Sequence, residues 1–258
     1  STVSTLTISE FSLNDFELIA TDITVIPSSQ QVKEMNHFEN DRMLVYYYQY
    51  LEESKGKAAG IVLSEGKITH LKLEDAFDTE ITCTMYSNKN NLFLSVFTRN
   101  TDDFKVQLYA ADINSASFTK IADSPIPLDV LSKGYPAPFE KKDLKKRGLT
   151  FNFSEVVVDE MENVYIVLYS TLSISNGFTV IYNDLVILKF SENELSWTQQ
   201  VKREGNRRPD NFRPRIGIED KELKIYDIQH IKPVKGQFQP EFGITSISLD
   251  TDSGEVMK

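Results

Sequence analysis

Apolar residues recur along the chain in runs of five to nine positions, rich in Val, Ile, Leu, Tyr, Phe and Thr and bounded by Asn, Asp, Gly, Ser or Glu. No segment longer than two turns holds a 3.6-residue period, so the pattern predicts strands almost throughout. Only two short stretches, Leu128 to Ser132 and the charged Glu140 to Lys146, suggest helix.

The runs group into two alternating hairpin patterns. The first is an apolar strand, a polar turn of about four residues and a returning strand. It fits Met35 to Tyr48 turning at 39–42, Ile81 to Phe97 turning at 88–91, Glu155 to Tyr169 turning at 159–163, and Arg215 to Ile228 turning at 219–222. Each turn is rich in Asn, Asp or Glu, which support turn geometry or tolerate exposure. A second hairpin follows each first one: Ala59 to Leu73, Lys105 to Ala122, Asp184 to Val201 and Gly243 to Lys258. A further copy of the second hairpin opens the chain at Leu6 to Ile23, around Leu13-Asn-Asp15.

Two antiparallel hairpins, repeated, make the four-stranded blades of a β-propeller, and this is the fold the repeats imply. The expected layout is a single all-β domain: a half blade at 1–26, then blades at about 34–74, 79–123, 151–201 and 214–258. That makes about five blades, closing as a ring with an unusual last blade or forming part of a longer propeller. A β-sandwich with hairpin connections is the alternative. The chain begins at Ser1 rather than Met and stops just after a turn signal, so flanking sequence is expected at both ends.

The third unit reads Val156-Val-Val-Asp-Glu-Met-Glu-Asn-Val-Tyr165, then Asn183-Asp-Leu-Val-Ile-Leu-Lys189-Phe-Ser-Glu-Asn-Glu-Leu-Ser-Trp197. This resembles bacterial propeller repeats of the type D-x-x-G-N-V-Y followed by D-x-x-[VI]-x-K-[LF] and a later Trp, found in secreted and cell-envelope proteins of Bacteroidota. Glu162 stands where that pattern has glycine, and no other unit carries a tryptophan. The resemblance implies a scaffold with a periplasmic or extracellular location. Repeats of this kind carry no catalytic residues, so a function has to be argued from a site.

Connection lengths suggest where such a site lies. Turns inside the hairpins are short, whereas 27–33, 52–57, 99–103, 125–150, 173–182, 202–214 and 232–241 are longer links. In a propeller these links gather on one face, and loops on a rigid scaffold are where binding concentrates. Charge separates along the same division. The chain carries −10 overall, yet 132–150 and 202–215 are each +4, leaving −18 on the rest. Lys141, Lys142, Lys145, Lys146, Arg147, Arg203, Arg207, Arg208 and Arg213 are therefore the candidate partner-binding residues, suited to a protein with an acidic surface. The overall acidity argues against a nucleic-acid partner, and few aromatics interleave these basic residues. No stretch approaches the 18 apolar residues of a membrane span.

Other chemistry is thin. His37, His70 and His230 fall in separate units with no partner at ligand spacing, and Cys83 suits a core position, so no metal or other cofactor is expected. The stretch from Asp250 to Glu255 has the beginning of a calcium loop but falls where a hairpin turn is required. Tyr46, Tyr47, Tyr48 and Tyr50 alternate sides of one strand, and Asn152-Phe-Ser154 is a glycosylation sequon. Acids near the long links, Asp102, Asp103, Asp184 and Glu241, supply the enzyme alternative, because carbohydrate-cleaving sites use paired carboxylates. The favoured expectation is a noncatalytic propeller acting as an interaction module in a cell-envelope or secreted assembly. A carbohydrate-binding or carbohydrate-active propeller is the alternative.

Overall fold

A computed structural model of the chain describes residues 3–11, 18–27, 30–38, 42–50, 56–64, 67–73, 81–88, 91–99, 104–112, 114–127, 149–173, 180–201, 214–231 and 241–257. They are strands and tight turns, arranged as antiparallel meanders. The first hairpin pairs β1 (Val3–Phe11) with β2 (Leu18–Pro27) and stands as a two-stranded sheet. Next come β3 (Gln30–Phe38), β4 (Arg42–Tyr50), β5 (Gly56–Ser64) and β6 (Lys67–Lys72), then β7 (Ile81–Asn88), β8 (Asn91–Arg99), β9 (Phe104–Asp112) and β10 (Ser117–Ile126). These two meanders touch at their fourth strands through one parallel pair, Ser117 with Lys72, so they form one sheet in the order β3-β4-β5-β6-β10-β9-β8-β7. The expected blades at 34–74 and 79–123 are thus joined edge to edge at a single residue pair, a local approach of two strand edges rather than a ladder.

A four-stranded meander follows: β11 (Leu149–Val158), β12 (Val164–Ser173), β13 (Val180–Ser191) and β14 (Glu194–Val201). The last sheet contains β15 (Arg215–Glu219), β16 (Glu222–Ile231) and β17 (Glu241–Asp250), after which the chain turns back and Val256 bridges to Leu249. The hairpins expected from the sequence have both of their strands except the last, Gly243 to Lys258, where the returning arm is a single bridge from Val256 to Leu249 and the sheet has three strands. Both helical candidates lie outside the described residues.

The chain divides into two compact units, residues 1–98 with 108–121, and residues 99–107 with 122–258. In the first, β7 and β8 lay Cys83 opposite Val96 and Met85 opposite Leu94, and these pack with Leu71, Leu73, Leu92, Tyr109 and Phe118. Cys83 is buried in that cluster. On the other face of β7 and β8, Tyr86 stacks on Phe93 at 5.2 Å between ring centroids.

In the second unit the central strands lose the alternation of a half-buried strand: Val164 to Leu168 and Leu185 to Phe190 are buried without interruption. Strands covered on both faces read as continuous apolar runs. One face carries Tyr165, Val167, Leu185, Ile187 and Val201 and packs against Leu223, Ile225 and Leu249 of the last sheet. At roughly 1.5–3 kcal/mol per fully buried large apolar side chain, this cluster is a main source of cohesion between the two sheets.

Candidate functional site

The motif of the third unit folds into a polar cluster at the hairpin ends of β11 to β14. Asp159, immediately after β11, organises the first turn. Its Oδ1 accepts the backbone N–H groups of Met161 and Asn163, each at 2.9 Å. Its Oδ2 accepts Asn163 Nδ2 at 2.7 Å and the Tyr165 hydroxyl at 3.1 Å. Backbone bonds from Asp159 N to Asn163 O, 3.0 Å, and from Glu162 N to Asp159 O, 3.1 Å, close the loop. Glu162 takes a left-handed φ of 66°, which explains why glycine suits that position in the repeats this unit resembles. Burial raises the Tyr165 phenol well above its ordinary pKa, and the nearby Asp159 carboxylate adds to the shift.

Lys189 lies opposite Tyr165 on one side and Trp197 on the other in the antiparallel ladders, so the three side chains share a face. Its side chain is buried, and Nζ donates to the Thr251 carbonyl at 2.9 Å while sitting 5.7 Å from the centroid of the Tyr165 ring. Trp197 Nε1 donates to the same carbonyl at 3.1 Å, and the indole is tilted 57° to the Tyr165 ring. Thr251 belongs to the turn after β17, in the next unit, and its own N–H donates to the Lys221 carbonyl at 2.9 Å. One carbonyl therefore fastens the third sheet to the fourth. An ammonium against a carbonyl and an aromatic face suits a charge removed from water.

The turn that presents Thr251 is itself closed by hydrogen bonds. Asp250 Oδ1 accepts from Asp252 N at 3.0 Å, Ser253 N at 2.7 Å and Ser253 Oγ at 2.9 Å, and Gly254 N donates to the Asp250 carbonyl at 2.8 Å. The Ser253 amide and hydroxyl hold the Asp250 carboxyl below its usual range. The acidic run at 250–255 is a hairpin turn, with the Asp250 carboxylate engaged by the turn itself.

A second fastening joins β11 to β15. Glu155 sits at a β-bulge in β11, where Oε2 accepts the Ile216 N–H at 2.7 Å and Oε1 accepts Arg215 Nη1 at 3.3 Å. The bond to Ile216 satisfies a backbone donor at the start of a strand. The Arg215 pair is exposed on the arginine side and contributes little. The sequence carries no signal for this contact, because a glutamate within a strand pattern looks like any solvated acid.

Lys141, Lys142, Lys145, Lys146, Arg147, Arg203, Arg207, Arg208 and Arg213 all lie outside the described residues, as do Asp102 and Asp103. Asp184 lies within β13 and Glu241 opens β17; His37, His70 and His230 lie in β3, β6 and β16. Among the described residues no group of three or more His, Cys, Asp and Glu is placed to hold a metal ion. Among them, too, no helix is long and apolar enough to cross a membrane.

No family model matches the chain, and no curated protein matches it significantly. Among solved structures it is similar to an α-L-arabinofuranosidase from Podospora anserina in complex with cellotriose, at 12% identity and a TM-score of 0.42, over 87% of this chain and 66% of that one. It is also similar to a glycoside hydrolase family 43 arabinoxylan arabinofuranohydrolase from Bacillus subtilis in complex with cellotetraose. There the identity is 9% and the TM-score 0.40, over 86% of this chain and 50% of that one. The chain thus spans less than two thirds of the length of either.

Proposed function

We propose that the chain is a noncatalytic β-propeller scaffold of about five blades that binds an acidic protein partner through its long-link face, within a secreted or cell-envelope assembly. The observation that carries this reading is the use made of the motif. Asp159, Asn163, Tyr165, Lys189 and Trp197 direct their polar atoms to one another and to the turn of the next unit, so the repeat signature serves to join sheets. The envelope setting rests on the resemblance of the third unit to secreted bacterial repeats, and the choice of face rests on the two basic links of net +4 each. The test is capture from envelope extracts of the source cell, run beside a panel of glycans. A saturable protein partner whose binding weakens with salt supports the proposal. Reproducible hydrolysis of a glycan, abolished by substitution of one carboxylate, would overturn it.

A further inference from the structure

No further inference is drawn: the strongest candidate, the outer face of the last sheet with exposed Tyr226 and Ile244 beside Ile228, is a sheet face unpartnered among the described residues, and nothing in the structure shows what covers it.

Discussion

Gly254 lies flat against the indole of Trp197, and a Cβ built on it would come within 2.8 Å of Trp197 Cδ2 and 2.9 Å of Cε3. Its φ of +74° is left-handed as well, so glycine is required twice over. The obstacle is a ring anchored by its own hydrogen bond to Thr251, which has little room to yield.

Gly254→Ala should therefore cost about 2–3 kcal/mol, the sum of left-handed strain and overpacking. Gly217, where an added Cβ meets nothing within 4 Å, is the matched control. Gly217→Ala should leave stability within about 0.5 kcal/mol or raise it slightly. Urea unfolding followed by the fluorescence of the single tryptophan reads both. Equal effects at the two glycines would contradict the contact.

Glu162 occupies a left-handed position at φ 66° with an exposed side chain. Glu162→Gly removes the strain of a Cβ in that region and should stabilise the fold by about 0.5–1 kcal/mol after the entropy of glycine is counted. A shift of the urea midpoint to higher concentration, with the slope unchanged, is the expected result. A loss of stability would mean that Glu162 makes a contribution its exposed position does not suggest.

How far the sequence carried this structure differs from strand to strand. The turn at Asp159 was legible because Asp and Asn pin hairpins through their own side chains, as the bonds around Asp159 now show. Strand limits on the link side were less so. β11 begins at Leu149 and β13 at Val180, ahead of the expected Glu155 and Asp184, since bulges between Phe153 and Glu155 and between Tyr169 and Thr171 break the alternation that marks a strand. Lys189 illustrates the harder loss. A lysine in a strand reads as solvated, and its burial depends on Thr251, which is 62 residues away in the chain. Glu155 and Ile216 are likewise brought together only by the fold.

Tyr165 offers a test by pH. Its folded pKa is raised, by burial first and by the Asp159 charge next, so the folded state favours the neutral phenol. The resulting stability is fully present below the unfolded value, about 10, and is lost as pH rises from there through the folded value. Wild type should lose stability more steeply above about pH 10 than Tyr165→Phe, which has no phenol to ionise. Denaturation midpoints at pH 8 to 11 compare the slopes. Parallel curves would show that this phenol is not held neutral.

Lys189 and Trp197 share one acceptor, which makes the lysine replaceable. In Lys189→Met the buried stem is kept, the desolvated charge disappears and Trp197 Nε1 still donates to the Thr251 carbonyl. Stability should change by less than about 1 kcal/mol, because an isosteric apolar group in place of a buried charge is often neutral. Lys189→Glu places a carboxylate against that carbonyl and the aromatic face, and should cost about 3 kcal/mol or more. If methionine were as damaging as glutamate, the ammonium itself would be the fastening.

The last prediction separates binding from folding. Reversing Lys141, Lys142, Lys145 and Lys146 to Glu takes the link at 132–150 from net +4 to −4, and reversing Arg203, Arg207 and Arg208 takes 202–215 from +4 to −2. A partner with an acidic surface should then associate more slowly, with the larger difference at low ionic strength, since long-range steering is screened over about 8 Å at physiological salt. Thermal stability should stay within about 1 °C to 3 °C of wild type, because charges in surface links contribute little to folding. Arginine in the second link should matter more for dissociation, as its fork can hold a carboxylate through two bonds, whereas the lysines of the first should act on the association rate. Stopped-flow association at two salt concentrations, paired with thermal melts, measures all three effects. A folded double-link variant that keeps the wild-type association rate and affinity would remove the basic links from the binding surface.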